Sequence, residues 1–239
     1  MLSDLSLDEI LFLDIETVPQ SPGFDQLDAT TQTLWEEKSR YIRERKEIGL
    51  EESYFEAGIQ AEFGKIICVG LGYFSQRMGE VVFRVTTLHG HDEHHVLQEL
   101  ANMLDERCPK PFRYLCAHNG KEFDFPYICR RMLVNGIQLP NTLQIAGKKP
   151  WEINHLDTME LWKFGDYKHY TSVKLLAHIF GIPTPKDDIS GADVRRVYYE
   201  ENDIDRIAEY CKKDVISMAR IFQRYVGKSF ISDDAVIHV

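Results

Sequence analysis

Two acids separated by one residue close an apolar run. "ILFLDIE" at residues 10–16 puts Asp14 and Glu16 at the end of a segment that reads as a buried strand. Alternate side chains of a strand share a face, so both carboxylates point the same way with Cα atoms roughly 6.6 Å apart, and Ile15 points to the other side. Like charges held that close resist desolvation unless a cation lies between them, and oxygen donors suit a hard divalent ion such as Mg²⁺ or Mn²⁺. A solvated strand end also accounts for an isolated pair. Two further segments carry candidates. In "HNGKEFDFP" (118–126) a short strand runs through a loop into a helix. Asp124 then stands at the helix start, where a carboxylate can hold metal or simply cap free amides, and Asn119 can hold the turn. In "EYCKKDV" (209–215) Tyr210 and Asp214 are four apart and share one helical face, while Lys212 and Lys213 project elsewhere.

The elements that must position these residues follow from periodicity and turn signals. After the first strand, residues 25 to 62 form a charged, helix-forming stretch with apolar Leu34, Tyr41, Ile42 and Ile48, which reads as an insertion. "KIICVGLGYF" (65–74) and "EVVFRVTTL" (80–88), joined by a polar connection with Gly79, predict an antiparallel hairpin. An amphipathic helix with Val96, Leu97, Leu100 and Leu104 comes next, then a strand at 114–119 and a helix from Asp124 to Val134 that stops near Gly136. A strand around 153–158, a helix near 171–180, the loop "GIPTPKDDISG" and a long helix over 202–225 complete the order. Strands alternating with helices around a hairpin predict an α/β fold with a mixed sheet. Neither a repeat nor a convincing linker divides the chain, so one domain over 1–239 is expected, interrupted by the helical acidic insertion.

Composition narrows the classes. The 239 residues are 44% hydrophobic, and no run approaches the ~18 apolar residues of a membrane span. "MLSDLSLDEI" has acids where a secretory signal has bases, so a cytoplasmic location is expected and no membrane partner. Cys68, Cys108, Cys116, Cys129 and Cys211 contain no CxxC pair, which argues against a disulfide framework and a zinc site. The net charge of −10 is unevenly spread: residues 1–64 hold 15 acids and 5 bases, leaving 23 of each sign elsewhere. Strong electrostatic binding to a duplex is therefore not expected. The pairs Arg130-Arg131, Lys148-Lys149, Arg195-Arg196 and Lys212-Lys213 can touch phosphates locally, and each also fits a solvated face.

Together, "DIE" (14–16), "NGKEFD" (119–124) and "YCKKD" (210–214) resemble the three motifs of the DEDD, or DnaQ-like, 3′-to-5′ exonucleases, in order. The resemblance is closest to the proofreading exonuclease domain of family B DNA polymerases. Tyr210 stands four before Asp214, which is the tyrosine branch; the histidine branch would need His where Glu209 stands. The resemblance implies a ribonuclease H-like fold, a five-stranded mixed sheet flanked by helices. It implies two divalent ions, Mg²⁺ or Mn²⁺, held by Asp14, Glu16, Asp124 and Asp214, with Tyr210 orienting the attacking water. The implied reaction is metal-dependent hydrolysis of phosphodiester bonds from the 3′ end of single-stranded nucleic acid, DNA ahead of RNA, releasing nucleoside monophosphates. Asn119, Phe123, Ile15, Thr17 and Lys186 are the expected substrate contacts, with Ser190 and Gly191 near them. A polymerase or repair partner is left open.

Other features carry less. "HGHDEHH" supplies His89, His91, His94 and His95 without ligand geometry and reads as a solvated loop and first helical turn. Asp157 is an extra acid at a strand end, fitted either to the site or to capping the next turn. Aromatics near Trp151 or Tyr170 can stack on bases or serve the core. The insertion either limits which substrates enter or simply packs on the sheet. An exoribonuclease trimming RNA or short oligonucleotides would use the same acids, and a non-catalytic nucleic-acid-binding module on the same fold is the alternative of a different class.

Overall fold

The computed structural model describes residues 5–105, 112–166, 170–183 and 189–239. Strand β1 (Ile10–Pro19) leads into helices α1 (Ala29–Lys46) and α2 (Leu50–Ser53) and a 3-10 turn (Tyr54–Ile59). The hairpin β2 (Gly64–Arg77) and β3 (Glu80–His89) follows, then α3 (Glu93–Asp105), β4 (Tyr114–Ala117) and α4 (Asp124–Val134). The remaining elements are β5 (Leu156–Asp157), α5 (Thr158–Lys163), α6 (Val173–Ile179), α7 (Val194–Tyr199), α8 (Ile204–Tyr225) and β6 (Val236–His238).

The sheet order is β5-β4-β1-β2-β3-β6. β1, β2 and β3 form an antiparallel meander, while β4 runs parallel to β1, β5 to β4 and β6 to β3. The first five of these strands make the ribonuclease H-like mixed sheet. The sixth, β6, extends it past β3 and had no signature in the sequence, because three residues carry no periodicity. It is tied down from a distance: buried Arg220 on α8 donates to Ile231 O at 3.2 Å and to Asp233 Oδ1 at 2.5 Å, just ahead of β6. β5 is shorter than the expected 153–158, since only Leu156 and Asp157 pair with β4.

β1 is buried on both faces, which explains its near-continuous apolar sequence. On one face, Phe12 packs edge-on against Phe74, Phe83 and Phe222 with ring centroids 5.7 to 5.9 Å apart, joining the sheet to α8. α8 comes unusually close to β2 because two strand positions lack side chains. A Cβ on Gly70 would lie 2.7 Å from Cys211 Sγ, and one on Gly72 would lie 2.8 Å from Val215 Cγ1. Gly70 is the register partner of Asp14, so this close approach brings α8 over the acidic end of β1.

The stretch between β1 and β2 is helical, as its charged sequence predicts, and has a small core of its own. Trp35 stacks edge-on with Tyr54 and Phe63 at 5.6 and 5.0 Å, and its indole N–H donates to Ser53 Oγ at 3.1 Å. Asp28 caps α1 by accepting from the amides of Thr30 and Thr31, both at 3.0 Å. One basic pair departs from the solvated face expected of it: Arg131 is buried and ion-paired with Glu93 of α3 at 2.6 Å. Among the described residues no helix is long and apolar enough to cross a membrane.

Candidate active site

Three segments distant in sequence converge at one end of the sheet. β1 supplies Asp14 and Glu16, whose carboxylate oxygens lie with Cys211 Sγ of α8 inside a span of 4.8 Å. The shared face expected from strand alternation is therefore present, and the bulge that breaks the β1–β2 register falls just after it, between Glu16 and Thr17. Asp124, the first residue of α4, is almost wholly buried and accepts a hydrogen bond from Ile15 N at 3.2 Å, which pins the helix start to the backbone between the two strand acids. α8 brings Asp214 against the group, and the Tyr210 hydroxyl hydrogen-bonds to the Asp214 carboxylate. The i, i+4 face read from the sequence is the face that packs here.

The electrostatics are those of buried like charges. Burial, then the carboxylates of Asp124 and Asp214, hold Asp14 well above the ordinary carboxylate range. Glu16 is raised in the same way by burial and by Asp14, Asp214 and Asp124. Burial lifts Asp124 to about 7, against the lowering effect of backbone N–H bonds and with a further push from Asp157. Tyr210 is driven above its ordinary value by burial and then by Asp214 and Glu16, so its phenol stays protonated. Four carboxylates gathered at one place, with Asp14 and Glu16 raised by the others, form an oxygen-donor set suited to hard divalent cations. Cys211 is an addition that the sequence reading had passed over. Its thiol, raised by burial and by neighbouring Cys68, remains neutral and donates to Asp14 Oδ2 at 3.5 Å. Its spacing of three from Asp214 was the available signal, since i and i+3 share a helical face.

The loop before α4 is held by Asp157, which fills both roles considered for it. One of its oxygens caps α5 through Met159 N and Glu160 N and also accepts from Asn119 N at 3.0 Å; the other accepts from Lys121 N at 3.2 Å. Asn119 adopts a left-handed conformation with φ of 62°, which Asn tolerates better than most residues. Ile15, Thr17 and Phe123 line a cavity beside Glu16, as does Gly191. Ser190 instead bonds to Asp193, capping the short turn before α7. Lys186 lies outside the described residues. Trp151 and Tyr170 are exposed, with the Tyr170 hydroxyl donating to Glu122 at 3.2 Å. The histidines do not cluster: His89 faces Asp205 and His91 bonds to Tyr198. Among the described residues the only potential ligand group is the one containing Asp14 and Glu16.

A mixed sheet of this order, with carboxylates gathered at the end of its first strand, belongs to the ribonuclease H-like α/β class. Residues 59–230, more than two thirds of the chain, match a family described as "predicted 3′-5′ exonuclease related to the exonuclease domain of PolB". The chain belongs to that family. The matched region includes Asp124, Tyr210 and Asp214 and begins after Asp14 and Glu16. Among solved structures, the chain is similar to the family B DNA polymerase from the hyperthermophilic archaeon Pyrobaculum calidifontis, at 12% identity and a TM-score of 0.48. That similarity covers 91% of this chain and 27% of the polymerase chain, so the chain spans about a quarter of that protein's length. No curated protein sequence matches the chain.

Proposed function

We propose that the protein is a metal-dependent 3′-5′ exonuclease of the tyrosine branch, hydrolysing single-stranded nucleic acid, DNA in preference to RNA, one nucleotide at a time. The observation that carries this reading is the gathering of buried Glu16 and Asp124 with half-buried Asp14 and with Asp214, where Asp124 and Asp214 raise the pKa of Asp14 and all three raise that of Glu16. A fold does not confine like charges in this way for its own stability, because their mutual repulsion and desolvation cost free energy.

In this reading Asp14, Glu16, Asp124 and Asp214 would hold two divalent cations, Mg²⁺ or Mn²⁺. When bound, such ions neutralise the acids, orient the scissile phosphate and stabilise charge on its attacking and leaving oxygens. Water attacks phosphorus, the bond to the 3′-oxygen of the preceding nucleotide breaks, and a nucleoside 5′-monophosphate leaves a shortened strand with a new 3′-hydroxyl. Tyr210, kept as a neutral phenol beside Asp214, orients the attacking water and does not serve as the base. β1 and the capped start of α4 fix the acids within the tolerance that such chemistry needs.

The test is digestion of 5′-labelled single-stranded DNA and RNA with Mg²⁺ or Mn²⁺ by wild type, Asp14→Ala and Asp214→Ala. A ladder shortening from the 3′ end that both substitutions abolish is expected, with DNA degraded faster. Faster loss of RNA would make the protein an exoribonuclease. Retention of every 3′ end by the folded wild type with metal, together with a mobility shift of the strand, would leave a binding module.

A further inference from the structure

The cavity beside the carboxylates has a wall that none of the three motifs supplies. About 510 Å³ in volume, it lies between Glu16 and Thr17 of β1, Phe123 before α4, Phe55 and Ile59 of the 3-10 turn, and Arg195 of α7. That volume falls within the range of ligand sites. Phe55 and Ile59 are 52% and 55% exposed, whereas Trp35, Tyr54 and Phe63 are buried in the core that this stretch forms by itself. They are not carried on a loose loop. Tyr127 of α4 donates to Gly58 O at 2.7 Å, and a Cβ on Gly58 would stand 3.2 Å from Pro19 of β1, so the turn is clamped between the strand and the helix that bear the acids.

The Phe55 ring is braced as well. The Arg195 guanidinium carbon lies 4.0 Å from the ring centroid, and the guanidinium is itself fixed by Pro22 O at 2.6 Å and Glu200 Oε1 at 2.9 Å. Its charge is thereby offset, as is that of Arg196 by Asp193 and Glu201. Glu56 on the same wall is likewise paired, with Lys46 Nζ at 3.0 Å, so none of these charges is left over for a ligand. A phosphate is therefore a poor occupant there, whereas the neutral face of a nucleobase suits an exposed ring beside an aliphatic side chain.

We infer that Phe55, braced by Arg195 and flanked by Ile59, is a base-stacking subsite for a nucleobase close to the 3′ end of a single strand, built by the insertion and lining one cavity with Phe123 and Thr17. The inference rests on the exonuclease reading and deepens it. Stacking is tolerant of sequence but needs a bare base face, so the subsite selects unpaired ends over duplex.

Binding of 5′-fluorescein-labelled single-stranded DNA, followed by anisotropy in EDTA, tests it apart from turnover. Phe55→Ala is expected to weaken binding about 30-fold, the middle of the range for loss of one stacked base. In Mn²⁺ it should raise KM by a similar factor and change kcat far less. Phe55→Trp should restore binding and Phe55→Leu should not, with melting temperatures unchanged because the side chain is half exposed. A single abasic site, moved through the last four nucleotides, should reach one position where it weakens wild type but not Phe55→Ala. Equal abasic penalties in both proteins at every position, or unaltered affinity and KM in Phe55→Ala, would overturn the subsite. If wild type cleaves and the variant behaves identically, the subsite alone fails. If wild type never cleaves yet binds strands through Phe55, the exonuclease reading fails and the subsite stands.

Discussion

Two clusters of buried charge lie in this molecule, and they are built on opposite rules. Around Glu93 every charge is answered: its carboxylate accepts from Arg131 Nε at 2.9 Å and Nη2 at 2.6 Å, from Ile66 N at 2.7 Å and from Asn135 Nδ2 at 3.0 Å. Arg131 spends its remaining reach on Ala61 O at 2.9 Å. This network joins α3, α4 and the start of β2, and nothing further is required of it. At the other cluster, Asp124 and Asp214 act against the charge on Asp14, and all three act against the charge on buried Glu16. Neutral groups donate to them: a thiol to Asp14, an amide to Asp124 and a phenol to Asp214. Paired buried charge holds structure, whereas carboxylates gathered with raised pKa values mark a candidate functional site.

The contrast can be broken most sharply by removing one acid from each cluster. Asp14→Asn should lower strand cleavage by several kcal/mol of transition-state stabilisation, about a thousandfold, in a gel assay with Mn²⁺, while the metal-free fold melts at the same or a higher temperature. Glu93→Ala should do the reverse at the level of stability. Leaving Arg131 buried without its partner costs about 3–5 kcal/mol in urea denaturation. Comparable destabilisation by both changes would remove the distinction.

The pH dependence of the metal-free protein sharpens it further. Unfolded Asp titrates near its model value of 3.8, while folded Asp124 titrates at about 7. Between these values the native state holds a proton that the unfolded state has lost. Stability therefore falls as pH rises through this window, by of order 1 kcal/mol per pH unit for such a group, and levels off above it. Mg²⁺ or Mn²⁺ at pH 7.5 should raise the melting temperature, and Asp124→Asn should flatten the acid-to-neutral slope. The smallest of these effects belongs to the spacing between sheet and helix. Gly70→Ala, with its Cβ 2.7 Å from Cys211 Sγ and 3.2 Å from Cys211 O, should cost about 1–3 kcal/mol and lower cleavage by shifting α8. Cleavage at the wild-type rate despite the lost stability would show that the distance between α8 and β1 is not critical.

Much of this was legible because the signals are local. β1 announces itself as an apolar run, and its period of two places Asp14 and Glu16 on one face whatever packs above them. α4 was read to its observed bounds, since an acid at the start and glycine after the end mark a helix in any context. α8 was read nearly so, its apolar stripe putting Tyr210 and Asp214 on one face. β6 was not legible, because three residues become a strand only when a tether through Arg220 lays them beside β3. Nor was the buried state of Arg131, which depends on Glu93 arriving from another helix.

By itself, then, the sequence determined which element bears each candidate residue and which of them share a face, because strand and helix periods act over a few residues. Only the tertiary structure decided that Cys211 leans on Asp14, that Asp157 ties the Asn119 loop while capping α5, and that a turn of the insertion sets Phe55 beside Glu16. Each of these depends on two segments meeting across tens of residues or more of chain. Such meetings are fixed by how glycines, aromatic rings and buried hydrogen bonds let the layers pack, and no short window of sequence contains them.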